Sequence, residues 1–170
     1  MVSAQLAQRR ALRRRGATIH TAGGLPSLVP YFFPVPYVVI ALRPGPEVAV
    51  PEALQWLGIA LCALGIVFSL WSIATLGRHY DLVLEVHAGH ELVRRGPYGL
   101  VRHPVYSGLG LHFAGACLAT GNLLVIAGTL LVTYPAFYLR ARAEERLLRR
   151  QFGAEYEKYA EEVPMLVPLP

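Results

Sequence analysis

Charged residues are scarce: Asp, Glu, Lys and Arg make up 16% of 170 residues, against 54% apolar ones. That balance lies far from an ordinary water-soluble domain. Four stretches, residues 25–42, 53–76, 104–120 and 122–139, contain none of these charged residues. At about 1.5 Å per helical residue, each approaches the roughly 30 Å of bilayer hydrocarbon. Cysteine is nearly absent too, and Cys62 and Cys117 sit inside apolar runs with no disulfide or metal-ligand spacing. They read as packing residues. No repeat, low-complexity tract or alternating strand pattern stands out, and no small-residue cleavage pattern follows the basic N-terminus, so a cleaved leader is not expected. What is left is an all-α fold: a polytopic membrane protein of about four transmembrane helices, with 1–170 as one unit.

The positive charges favour four crossings. Pro26, Pro30, Pro34 and Pro36 in the first stretch each remove a backbone donor that hydrocarbon cannot replace. Yet if this stretch crosses, 15 of the 16 Lys and Arg lie on one side and only Arg43 on the other; if it does not, the split is 10 against 6. The positive-inside rule then places both termini in the cytosol, and a prokaryotic inner membrane is the expected location. In that setting the basic surplus serves orientation and contact with anionic membrane lipid, with no nucleic-acid partner.

Residues 25–76 form the N-terminal spans and 77–164 the core that carries the chemistry. The polar connection 77–103 is too long for a simple turn. Gly121 and Asn122 make a tight outer break between the last two apolar stretches, a helical hairpin. Both feet of the hairpin must then stand on the cytosolic face, which brings "VRHP" at 101–104 beside "RARAEER" at 140–146. Beyond Leu139, Leu148, Phe152, Tyr156 and Tyr159 recur at helical spacing, the pattern of a cytosolic amphipathic helix.

At the first foot, Pro104 suits the opening turn of a helix and biases His103 to an extended backbone. The amides of Val105 and Tyr106, with Arg102 beside them, make an anion site; the same residues also suit an interfacial anchor on lipid phosphate. At the second foot, Glu144 and Glu145 either belong to a solvated helix face, with an i,i+4 pair such as Glu145 to Arg149, or close a ligand pocket opposite Arg102 and His103. His79, His87, His90 and His103 lack the carboxylate or cysteine partners of a metal site, so no metal is expected. Gly108 and Gly110 follow no strand and open no dinucleotide fold; they thin a helix wall for packing or for a ligand.

The series "LGRHY", "HAGHELVRRGPYGLVRHPVYSG", a membrane hairpin and "RARAEERLLRRQFGAEYEKYAEEVP" resembles the isoprenylcysteine carboxyl methyltransferase and phospholipid methyltransferase group of integral membrane enzymes, over residues 76–164. The resemblance implies methyl transfer from S-adenosylmethionine, with S-adenosylhomocysteine as product, to a lipophilic or prenylated acceptor at the cytosolic face. It implies a cofactor site at His90, Leu92, Gly96, Pro97, Tyr98, Arg102, His103, Pro104 and Tyr106, joined by Glu144 and Glu145. The substrate-side arginine looks like Arg140, giving Arg102, Arg140 and Glu144 as the residues nearest the reaction. Carboxyl O-methylation is the leading expectation. N-methylation of a phospholipid or other amine, with Glu144, Glu145 or His103 taking the proton, is the alternative within the enzyme class, and a catalytically silent scaffold or carrier is the alternative outside it.

Overall fold

The computed structural model describes residues 20–21, 45–77, 85–86 and 92–168. The apolar stretch 25–42, the N-terminal arginines and His79, His87 and His90 lie outside the described residues. Among those described, the fold is helical, apart from a two-residue antiparallel pairing of β1 (His20–Thr21) with β2 (Glu85–Val86), which no alternating pattern marks.

Three of the four expected apolar helices fall among the described residues. The first, α1 (Glu52–Leu76), starts after Pro51 with Glu52 in its first turn, where a carboxylate favours the helix dipole, and stops at Gly77 with φ 54°. The second, α2 (Pro104–Thr120), begins at a proline whose fixed φ suits a first turn, and ends at Gly121 in the left-handed conformation, φ 61°. The third, α3 (Leu123–Phe152), is capped by Asn122, whose Oδ1 accepts from the amides of Leu124 and Val125 at 2.9 and 3.2 Å. By length and composition α1 and α3 can cross a membrane, and only 22% of each apolar window is buried inside the protein. A core helix of a soluble domain is mostly buried. Here Trp56, Leu64, Val67, Leu70, Leu131 and Leu139 are exposed, as lipid-facing side chains are.

The glycines of α1 let α2 approach until backbones touch. A Cβ on Gly58 would stand 2.6 Å from Gly115 O, and one on Gly115 would stand 2.5 Å from Gly58 O; Gly65 meets Gly108 and His112 in the same way. Small residues at such crossings are how helices pack where lipid offers no hydrophobic drive. Ser69 Oγ donates to Val105 O at 3.1 Å and Cys62 Sγ to His112 O at 3.2 Å, across the same seam. Gly108 is therefore a packing glycine, while Gly110 accepts on its carbonyl from Tyr134 Oη of α3 at 3.1 Å.

The hairpin turn is laced to the segment before α1: Val48 N donates to Gly121 O and Leu123 N to Pro46 O, each at 2.9 Å. Within α3, Thr129–Thr133 is wound as a π-helix, with Tyr134 N reaching back to Thr129 O and Thr133 Oγ1 to Gly128 O. Pro135, which has no N–H to give, sits just past this widened turn. The expected amphipathic helix is in two pieces. α3 runs on past its apolar part to Phe152, Gly153 turns the chain with φ 52°, and α4 (Ala154–Glu162) packs back with Tyr156 and Tyr159 buried.

Candidate functional site at the feet of the hairpin

The two feet meet. Arg102, His103 and Tyr106 from the start of α2 face Arg140, Glu144 and Glu145, which lie within two turns of one another on α3 just past its apolar part. Arg140 Nε donates to Tyr106 Oη at 2.6 Å, and Tyr106 Oη donates to Glu144 Oε1 at 2.5 Å. Glu144 also stands 3.3 Å from His103 Nδ1 and 3.3 Å from Arg140 Nε. His103 Nε2 is 3.7 Å from Glu145 Oε1, and Arg102 closes the chain with Nε and Nη2 on that same oxygen at 2.8 and 2.6 Å. Aromatic faces back the cluster: His103 stacks on Tyr106 and Tyr106 on Phe137, with centroids 6.0 and 5.6 Å apart.

The two glutamates have separate places. Glu145 is 1% exposed, whereas Glu144 keeps 24% of its side chain accessible. Glu145 makes the i,i+4 pair with Arg149 at 3.1 Å, but it is buried against Arg102, so the solvated-face reading does not hold for it. Burial by itself pushes the Glu145 carboxyl up; His103 and Arg102 beside it overcome that and hold it down at about 2. For His103, burial opposes the charged ring, and the two glutamates outweigh it, raising the ring above its ordinary value.

Arg102 differs from the open anion site that its position beside a helix start suggests. Besides Glu145, its Nη1 donates to Ala160 O at 2.7 Å and Val163 O at 2.5 Å, the carbonyls at the end of α4. The backbone amides of Arg102 and His103 go to Pro164 O and Met165 O at 2.9 and 3.0 Å, and Ser107 Oγ donates to Leu166 O at 2.6 Å. The C-terminal segment thus lies across the foot of α2, with Arg102 as its clasp. No sequence signal marks this, because backbone carbonyls, which every residue carries, supply the acceptors.

The turn before α2 is clamped from the same side. Gly96–Gly99 forms a short 3-10 turn with Pro97 and Tyr98 buried. Tyr159 Oη donates to Tyr98 O at 2.6 Å, and Arg94 lies over the Tyr159 ring while donating to Glu155 O. Of the expected cofactor residues, Gly96, Pro97, Tyr98, Arg102, His103, Pro104, Tyr106, Glu144 and Glu145 all belong to this connected region. Leu92 is half-buried at its edge and His90 lies outside the described residues. Tyr156 and Tyr159, read only as an amphipathic stripe, are integral to the region's packing: Tyr156 is wholly buried, with Arg149 over its ring. Among the described residues no group of three or more His, Cys, Asp or Glu is placed to hold a metal ion.

A profile of the phospholipid methyltransferase family matches residues 53–155, which takes in α1, α2, α3 and the whole cluster. A probable protein-S-isoprenylcysteine O-methyltransferase of Oryza sativa subsp. indica is 33% identical over 125 residues, covering 72% of this chain and 65% of the relative. Protein-S-isoprenylcysteine O-methyltransferase B of Arabidopsis thaliana is 31% identical over 113 residues, covering 65% and 57%. The solved structure of the eukaryotic intramembrane Ras methyltransferase ICMT (isoprenylcysteine carboxyl methyltransferase) superposes with a TM-score of 0.64 at 30% identity, over 69% of this chain and 43% of that one. The chain thus spans less than two thirds of the length of each of these proteins. With more than half of its residues inside the family profile, and the clustered residues among them, this chain belongs to the phospholipid methyltransferase family.

Proposed function

We propose that the chain is an S-adenosylmethionine-dependent methyltransferase that works at the cytosolic membrane face on a lipophilic acceptor, by carboxyl O-methylation of an isoprenylcysteine-like substrate. The observation that carries this reading is the continuous ion cluster from Arg140 through Tyr106, Glu144, His103 and Glu145 to Arg102, built where two apolar helices turn polar. The activities for which the rice and Arabidopsis relatives and the solved structure are named support it.

The residues present fit the donor. Glu144 is fixed from one side by Tyr106, His103 and Arg140 and accessible on the other, so it offers a carboxylate to a cationic group. The turn Gly96–Gly99 and the start of α2 stand next to it, and the residues proposed to hold the donor are His90, Leu92, Gly96, Pro97, Tyr98, His103, Pro104, Tyr106, Glu144 and Glu145. S-adenosylmethionine supplies an already activated methyl group. The protein's part is therefore alignment and exclusion of water, which can account for about 7–11 kcal/mol of a barrier.

A carboxylate acceptor needs no base, only a cation to hold it. Arg102 is committed to Glu145 and the end of α4, so its role is to hold the site together. Arg140, buried and bonded to Tyr106 and Glu144, is proposed from the family resemblance as the arginine on the acceptor side. An amine acceptor would first have to lose a proton to Glu144, Glu145 or His103, each already in an ion pair.

Thermal unfolding of the detergent-solubilised protein with S-adenosylhomocysteine tests the reading: ligand at 100 times Kd should add ~2.7 kcal/mol. Labelled S-adenosylmethionine with a panel of prenylated-cysteine carboxylates, lipid amines and thiols should then label the carboxylates first. A protein indifferent to both nucleosides would be a silent scaffold or carrier, and the proposal would fail.

A further inference from the structure

His103 is held so firmly that its ring chemistry can be read from its neighbours. The side chain is 4% exposed, the ring stacks on Tyr106, and the backbone is tied to Met165 O and leads straight into Pro104. Nδ1 faces Glu144 Oε2 at 3.3 Å and Nε2 faces Glu145 Oε1 at 3.7 Å. Nε2 is buried and has no hydrogen-bond partner.

A neutral imidazole carries one N–H and one lone pair. Either tautomer therefore turns a lone pair on a carboxylate oxygen, and the one protonated at Nδ1 also leaves Nε2 as a buried acceptor with no donor. The doubly protonated ring instead sets a positive charge within ion-pair distance of both carboxylates and leaves no ring lone pair facing either of them. Other charges in the cluster do not upset this. Arg102 on the same segment is neutralised by Glu145, Arg140 on α3 faces Glu144, and Arg149 is shared between Glu145 and Glu157. Among the described residues α4 brings Glu157, which faces Arg149, and the phenols of Tyr156 and Tyr159, and the C-terminal segment brings backbone carbonyls.

We propose that His103 is a protonated strut, an imidazolium that bridges Glu144 and Glu145 and so positions the accessible Glu144; that Glu144 thereby meets the methyl donor rests on the function proposed above. It is a positioning residue, and an imidazolium has no lone pair with which to take a proton from an amine acceptor. The two glutamates raise the ring above its ordinary 6.5 against the cost of burial. The sign follows: the bridge is fully present below 6.5 and is lost as pH rises through the higher folded-state value.

The test is nitrogen NMR of the histidine rings of the whole protein in lipid nanodiscs, with the His103 signals assigned by their absence from His103→Asn or, should that variant not fold, by their shift in Glu144→Gln. At pH 7 both ring nitrogens of His103 should resonate as protonated, and Glu145→Gln should lower the titration midpoint by about one unit. One protonated and one bare nitrogen at pH 7 would overturn the strut. S-adenosylhomocysteine affinity should weaken about tenfold as pH rises through the midpoint, and His103→Asn should bind weakly with no such dependence; constant wild-type affinity across the midpoint would overturn the positioning role. If the nucleoside binds at no pH, the methyltransferase reading fails, and the nitrogen spectra still decide the protonation.

Discussion

Replacing Arg102 with alanine should destabilise the protein as well as silence it. The guanidinium makes two contacts to Glu145 Oε1, at 2.6 and 2.8 Å, and two more to the carbonyls of Ala160 and Val163, at 2.7 and 2.5 Å. Truncation strands a carboxylate that is 1% exposed and unclasps the end of α4. Breaking a buried pair by removing one partner costs ~3–5 kcal/mol. Because Arg149 still reaches Glu145 at 3.1 Å, the lower end, about 3 kcal/mol, applies, or roughly 10 °C in melting temperature for a chain of this size. Two free cysteines, Cys62 and Cys117, lie between the apolar helices, so a thiol-reactive fluorophore reports helix separation on heating. Membrane extraction should be unchanged, since Arg102 lies outside the apolar stretch. The double variant Arg102→Ala with Glu145→Gln removes the stranded charge and should recover about 1–2 kcal/mol. A single variant that melts within a degree of the parent, with activity gone, would refute the clasp and leave Arg102 acting on ligand alone.

Three further outcomes are expected. Tyr106→Phe keeps the ring stack with Phe137 but removes the hydroxyl between Arg140 and Glu144; losing bonds to charged groups worth ~1.5–3 kcal/mol should lower kcat/KM about 10- to 100-fold, measured with labelled donor. Gly115→Ala would place a methyl 2.5 Å from Gly58 O, and the forced separation of α1 and α2 should cost about 1–3 kcal/mol by thermal unfolding. Asn122→Ala leaves the amides of Leu124 and Val125 without their cap and should cost ~1 kcal/mol without lowering activity at temperatures well below the melt.

The helices were legible because their signals are local. Pro104, Gly121 and Asn122 mark ends that the structure reproduces, and Gly108 marked a wall thinned for packing. The meeting of the two feet was legible too, since a two-residue turn between membrane-length helices leaves no other arrangement. The break at Gly153 was missed because Leu148, Phe152, Tyr156 and Tyr159 keep helical spacing across it, and periodicity is blind to one left-handed glycine. The π-wound segment Thr129–Thr133 went unread, though Pro135 inside an apolar run was its available sign. Burial of Glu145 was ambiguous: a glutamate with an arginine four residues on looks the same on a wet surface as in a buried cluster. Only contact with Arg102, 43 residues away, separates the two cases.

The glycine seam also limits traffic through the bilayer. Where α1 and α2 touch backbone to backbone there is no gap for even a methyl group, so no hydrocarbon chain can wedge between them on its way to the ion cluster. Among the described helices, α2 meets α3 through larger side chains instead, such as Phe113, Tyr134 and Phe137, whose rotamers can shift where a glycine backbone cannot.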